Sequence, residues 1–198
     1  MAGFFVLDLE TLGTESTSVI LSVALLYVDL TKPKHTWDEL YENTLFLKLN
    51  VRDQVEHYGR TVDKDTIAWW NKQCDLAKNM SFVPKKSDIL AKDIPAILRN
   101  YVREQTDNNY QDSLCFIRGS LDQMCLDSLF KVLDEQVLFS YSIYRDARTY
   151  IECVSTNPVR GYCDIDRTLY PEFDRNVVVK HNPIDDTVLD GLMILYPI

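Results

Sequence analysis

Apolar positions along this chain fall into short extended runs and helical stripes, in an order that predicts an α/β protein. Residues 3–9 and 19–28 carry the aliphatic density of strands, joined by a polar turn from Gly13 to Ser18. A third strand is expected within 36–47, completing a meander. Segment 49–64 is polar and without periodicity, so it reads as irregular. Helical composition follows at 66–73. Ile89, Leu90, Ile94, Ile97, Leu98 and Tyr101 then recur at three-and-four spacing, which predicts a helix over 87–104. The fully apolar run 114–117 has the mark of a buried central strand, and Arg118-Gly119 ends it in a tight turn. Ser120 and Gln123 stand at capping-box spacing, which puts Asp122 in the first turn of a helix. A strand near 136–141 and a helix near 145–154 are expected next. Residues 155–176 mix Pro, Gly, Asn and charges without a period, a loop long enough for a lid or an active-site wall. After an extended stretch at 177–180, Asn182 suits an N-cap and Pro183 the first helical position. Ile184, Val188, Leu192, Met193 and Tyr196 give the final helix one apolar stripe, with Asp185 and Asp186 in its first turn.

Composition narrows the class. At 198 residues, 46% hydrophobic and 26% charged, the chain fits one globular domain over 1–198. No stretch reaches the length of a membrane span, and the first residues lack a signal peptide's basic flank, so a cytoplasmic protein without a membrane partner is expected. Five cysteines, odd in number and with no C-x-x-C pair, favour neither a disulfide framework nor zinc; they are expected to be buried thiols. A net charge of −9 argues against tight, extended duplex binding. It does not argue against a metal enzyme, because acidic ligands are needed to hold cations and the cations then meet the phosphate.

The chemistry concentrates at Asp8-Leu9-Glu10-Thr11. Acid-x-acid pairs also occur at Asp63/Asp65, Asp164/Asp166 and Glu172/Asp174, yet only Asp8/Glu10 terminates a strongly apolar strand. Side chains alternate along a strand, so Asp8 and Glu10 project from the same face. Two adjacent carboxylates repel unless a cation lies between them, and oxygen donors suit Mg²⁺ or Mn²⁺. Taken singly, these acids also fit a solvated strand end, and His181 a surface histidine.

The ordered set Asp8/Glu10, then Asp122 opening a helix, then His181 followed by Asp186 in His181-Asn182-Pro183-Ile184-Asp185-Asp186 resembles the DEDDh exonucleases. The likeness extends to Thr66-Ile67-Ala68-Trp69-Trp70-Asn71-Lys72-Gln73, to Arg118-Gly119, and to Arg145-Asp146-Ala147-Arg148-Thr149. These stretches look like those of phage exodeoxyribonuclease A and related exoribonuclease-like domains. The resemblance implies a ribonuclease-H-like exonuclease fold, with a mixed central sheet flanked by helices. It implies 3′-to-5′ hydrolysis of single-stranded nucleic acid, DNA favoured, to nucleoside 5′-monophosphates with two Mg²⁺ or Mn²⁺. Asp8 is then expected to bridge the ions, Glu10 and Asp186 to complete the water-activating site, and Asp122 to support the ion at the leaving group. His181 is the expected general base; it precedes the helix that carries Asp186, so the two converge from different directions. Thr11, Trp69, Trp70, Arg118, Arg145 and Arg148 are candidates for contacting the 3′ end. Neighbours on a helix point about 100° apart, so one tryptophan is expected in the core and the other at the cleft, offering a ring to a base. Two alternatives stay open: an exoribonuclease of the same fold, and a non-catalytic protein binding nucleic acid or a host protein. The likeness also makes a phage source, and hence the host cytoplasm, an expectation.

Overall fold

The computed structural model describes residues 2–107, 113–170, 173, 174, 176 and 178–198. Its centre is a five-stranded mixed sheet in the order β3-β2-β1-β4-β5, formed by β1 (Gly3–Thr11), β2 (Ile20–Asp29), β3 (Leu45–Lys48), β4 (Leu114–Ile117) and β5 (Tyr144–Asp146). The first three strands are antiparallel, and β4 and β5 add parallel to β1. Because β1 is central, its alternating residues enter two cores. Phe5, Leu7 and Leu9 pack with α5 (Ile94–Thr106) and α6 (Leu121–Val132), whereas Phe4 and Val6 pack with α7 (Ala147–Val154) and α8 (Pro183–Leu195). Asp8 and Glu10 continue the Phe4/Val6 row. They therefore face α8, and the register of β1 against β2 shifts between Glu10 and Thr11, ending regular pairing at that point.

Local chemistry sets several boundaries differently from the apolar pattern. Within 36–47, Thr36 Oγ1 accepts from the Glu39 amide and starts α1 (Trp37–Asn43), so the strand begins only at Leu45. Within 49–64, Asn50 caps α2 (Val51–Tyr58), and left-handed Gly59 ends it. That helix escaped the periodic reading because its buried residue is Gln54, whose amide donates to the Ile20 carbonyl and accepts from the Ile20 N–H. The helix expected over 87–104 starts at Ile94. Ile89 instead pairs its backbone with Lys48 and Asn50, and a 3₁₀ turn at Ala91–Asp93 leads into Pro95 in the first turn. No strand forms near 136–141; Leu138 and Phe139 are buried without ladder partners, and the strand is Tyr144–Asp146. Asp146 then caps α7, which begins at Ala147.

The capping box at Ser120 does not form. Ser120 is already helical in φ and ψ and makes no side-chain cap bond, while Gln123 turns to Asp127. Asp122 keeps its place in the first turn of α6. Asn182 does cap α8, and Pro183 occupies its first turn. This helix is buried nearly all round rather than along one stripe, because it lies between the sheet, α1 and α7. Val178–Lys180 is not paired as a strand, and Val177 and parts of the 155–176 loop lie outside the described residues. Cys115, Cys125 and Cys163 are buried as expected, but Cys74 and Cys153 are exposed. No helix among the described residues is long and apolar enough to cross a membrane.

Candidate active site

Three elements bring the acids together. β1 supplies Asp8 and Glu10 at its end. β4 passes through the Arg118-Gly119 turn, where Gly119 takes φ +80° and donates its N–H to Asp146 Oδ2 at 2.8 Å, and delivers Asp122 on α6. That positive φ admits glycine and strains other residues. The Leu9 backbone beside Asp122 acts to lower its pKa. From the other side α8 presents Asp186, which accepts the His181 N–H at 2.9 Å. His181 sits in the left-handed region at φ +65°, just before the Asn182 cap, and its Nδ1 lies 3.8 Å from Glu10 Oε1. Donor atoms of Glu10, His181 and Asp186 all lie within 4.8 Å of one another. Together these groups line a cleft of about 930 Å³.

Electrostatically the cluster is short of positive charge. Burial, followed by repulsion from Asp122, Glu10, Asp186 and Asp190, holds the Asp8 carboxyl well above the usual carboxylate range. Burial and the Glu10 charge push Asp122 up to about 8 and Asp186 up to about 7. Glu10 is raised by burial, against the opposing pull of His181. The imidazole is raised in turn, first by the close approach of the Glu10 carboxylate. Asp8 Oδ2 is buried with no hydrogen-bond partner. An orphaned carboxylate oxygen among three further carboxylates is an environment that a divalent cation satisfies and a neutral core does not. The residues present thus fit a hard cation, with Asp8, Glu10, Asp122 and Asp186 as the oxygen donors.

The aromatic and basic candidates divide. Trp69 is 41% exposed in the cleft, its ring 4.7 Å from that of His181 in an edge contact. Trp70 is fully buried, stacks parallel to Phe82 and donates Nε1–H to the Thr11 carbonyl at 3.0 Å. That bond fixes α3 (Lys64–Trp70) beside the end of β1. Trp70 is therefore the core member of the pair. Thr11 lines the cleft while its hydroxyl donates to the Gly13 carbonyl. Arg118 lines the cleft and is tied into the protein: Nε and Nη2 donate to Asp190 at 2.6–2.8 Å, and Nη1 donates to the Gly161 carbonyl at 3.1 Å. Arg145 lies away from the cleft, donating to the Ser142 and Tyr144 carbonyls. Arg148 is exposed on the cleft wall, and its charge opposes the upward shift of Asp122.

Asp190, Tyr162 and Lys180 also line the cleft and were not singled out from sequence. For Asp190 a signal existed: an acid one turn after Asp186, inside an otherwise apolar helix. The 155–176 segment is a wall. Tyr162 reaches the cleft, while Tyr170 and Phe173 are buried and Ile165 bridges to Pro197.

No curated protein matches this sequence. Among solved structures, product-bound exonuclease I superposes with a TM-score of 0.55 at 8% identity, over 99% of this chain and 44% of that chain. This chain therefore spans less than half of that protein, and the likeness is one of ribonuclease-H-like fold. The model of the Rv2179c-like 3′-5′ exoribonuclease domain matches residues 4–190, from the start of β1 to Asp190 and across every acid of the cleft. With that match over nearly the whole chain, the protein belongs to the Rv2179c-like 3′-5′ exoribonuclease domain family, within the DEDDh exonucleases.

Proposed function

We propose that this 3′-5′ exonuclease removes nucleoside 5′-monophosphates from single-stranded 3′ ends, using two Mg²⁺ or Mn²⁺ ions held by Asp8, Glu10, Asp122 and Asp186. The observation that carries the metal requirement is the buried, partnerless Asp8 Oδ2 within the acid cluster. When bound, the cations supply Lewis acidity toward the scissile phosphate and its attacking and leaving oxygens. The chain's own groups do the rest. His181 in its neutral form accepts a proton from the attacking water, and its half-exposed ring at the cleft edge leaves room for that water. Glu10 lies 3.8 Å from the imidazole, which keeps the ring beside the acids. Asp186 fixes the backbone of the same residue, so the base cannot drift from the acids. Trp69 offers a ring beside His181 on which the terminal base can stack, and Arg148 offers a cation to the strand's phosphates.

For the sugar, the family to which the chain belongs is described as exoribonuclease, and this supports RNA as the substrate in place of the DNA preference read from the sequence. The test is a time course on end-labelled RNA and DNA single strands of matched sequence with Mg²⁺ or Mn²⁺. RNA is expected to shorten one nucleotide at a time from its 3′ end, faster than DNA. Asp8→Ala is expected to be inactive, and His181→Ala slower by about 10²–10⁴-fold, the usual contribution of a general base. Intact RNA and DNA with metal supplied would overturn the activity, and faster loss of DNA would overturn the sugar preference.

A further inference from the structure

We infer that Tyr162 is a second stacking platform for a base of the substrate strand, distinct from Trp69 and held in place by the Arg118–Asp190 pair. The inference rests on the single-strand exonuclease reading above and assigns a specificity-determining residue within it.

The segment that carries Tyr162 is built to hold one ring still. Val159 and Tyr162 exchange backbone hydrogen bonds at 2.8 and 3.1 Å across a two-residue turn. Both residues of that turn, Arg160 at φ +53° and Gly161 at φ +73°, are left-handed, the requirement of a tight hairpin turn. Any side chain at position 161 would overlap Arg148 on α7, so the turn can lie flat on that helix only with glycine there. Gly161 then offers its carbonyl to Arg118 Nη1, and the guanidinium carbon lies 3.9 Å from the centroid of the Tyr162 ring. The guanidinium itself is held by its forked bonds to Asp190, one helical turn after Asp186. The ring is thereby fixed relative to the acids that face the phosphate.

One face of Tyr162 is covered by the guanidinium. The residue nevertheless remains 45% exposed, and it lines the cleft with Asp8, Asp122 and Asp186. Core packing does not account for a ring so exposed, and the neighbouring turn bears two left-handed residues to place it. A flat, uncharged aromatic surface is the chemistry that such a ring recognises. In a cleft for nucleic acid that surface is a nucleobase. A cation behind the ring draws π density toward itself, so the free face stacks best on large, electron-rich purines. Trp69 touches His181, whereas Tyr162 stands over the Arg118–Asp190 end. The two rings therefore meet different nucleotides of one strand.

The experiment compares steady-state kinetics of wild type, Tyr162→Leu, Tyr162→Phe and Tyr162→Trp on RNA ladders with purine, pyrimidine or abasic residues at the last two positions. Tyr162→Leu is expected to raise KM about tenfold on purine-ended RNA with kcat little changed, the loss typical of one stacked base. Phenylalanine should restore wild-type KM and tryptophan lower it. On RNA with an abasic residue at the stacked position, the difference between wild type and Tyr162→Leu should collapse. Equal KM for wild type and Tyr162→Leu overturns the inference, as does a rise that persists on every abasic substrate or is shared by phenylalanine. Should the leucine variant fail to fold, an unchanged KM in the tryptophan variant overturns it instead. An inactive wild type would count against the exonuclease reading itself, so the two failures are separable.

Discussion

At the scale of single residues, the contact between His181 and Glu10 responds most directly to what enters the cleft. The imidazole is raised because a carboxylate 3.8 Å away favours its charged form. A cation bound to Glu10 cancels that charge, so the His181 pKa is expected to fall when metal is added. Protein labelled at its three histidines and titrated by NMR checks this, with His35 and His57 as internal references. A His181 curve identical in chelator and in saturating Mg²⁺ would show that Glu10 is not a metal ligand. The neighbouring tryptophans make a second prediction. Trp70→Leu removes a fully buried ring and a hydrogen bond to Thr11, and by analogy with other large core deletions it should cost about 3 kcal/mol of stability. Trp69→Leu should cost under about 1 kcal/mol, as surface changes do, while weakening substrate affinity. Urea unfolding beside Michaelis constants separates the two; comparable destabilisation in both variants would remove the case for Trp69 at the substrate.

At the scale of elements, α8 ties the cleft together, since it carries Asp186 and Asp190 and packs on β1, β2, α1 and α7. The Arg118–Asp190 pair joins this helix to the β4–α6 turn through nearly buried groups. Removing one partner leaves a buried charge. Arg118→Met is expected to cost about 3–5 kcal/mol in denaturant unfolding, and the double change Arg118→Met with Asp190→Leu should recover most of that loss. If Arg118→Met alone is neutral, the pair holds nothing in register. Much of this arrangement was legible in the sequence where chemistry and periodicity agree: β1 ending in alternating acids, Asp122 opening a helix, and Asn182-Pro183 opening another. It was illegible where a polar side chain does the work of an apolar one. Gln54 buries its amide against Ile20, so α2 lacks an apolar stripe. Arg60 similarly buries its guanidinium against the Ser16, Ser18 and Cys125 carbonyls, tying the loop after β1 to α6. Neither long-range partner can be read from local sequence. The Arg118 ion pair was hidden for the same reason, since its partner Asp190 lies 72 residues downstream.

At the scale of the molecule, the net charge of −9 is distributed unevenly: six carboxylates, Asp65 among them, line the cleft against Arg118, Arg148 and Lys180, and the buried Arg118 guanidinium is hydrogen-bonded to Asp190. Without metal, protons must take the place of cations. Asp122 at about 8 and Asp186 at about 7 stand far above the unfolded value of about 3.9, so between these limits the folded chain binds more protons than the unfolded one. Stability from these groups is fully present below about pH 4 and is lost as pH rises through 7 and 8. His181 acts in the same direction, since its raised pKa also gives stability that disappears with rising pH. Asp29, Glu39 and Asp146, which are lowered, titrate below this range and leave the trend intact. Chelated protein should therefore melt at a lower temperature at pH 8.5 than at pH 5.5. A ligand at about a hundred times its Kd adds about 2.7 kcal/mol, or roughly 5–10 °C for a chain of this size. Mg²⁺ or Mn²⁺ should produce that gain at pH 8.5 and much less at pH 5.5, where protons already occupy the carboxylates. Calorimetry at the two pH values, with and without metal, decides the matter. A metal-induced rise equal at both would mean that the cations bind elsewhere than at these acids. A metal-free protein no less stable at pH 8.5 would mean that the buried carboxylates hold no protons to lose.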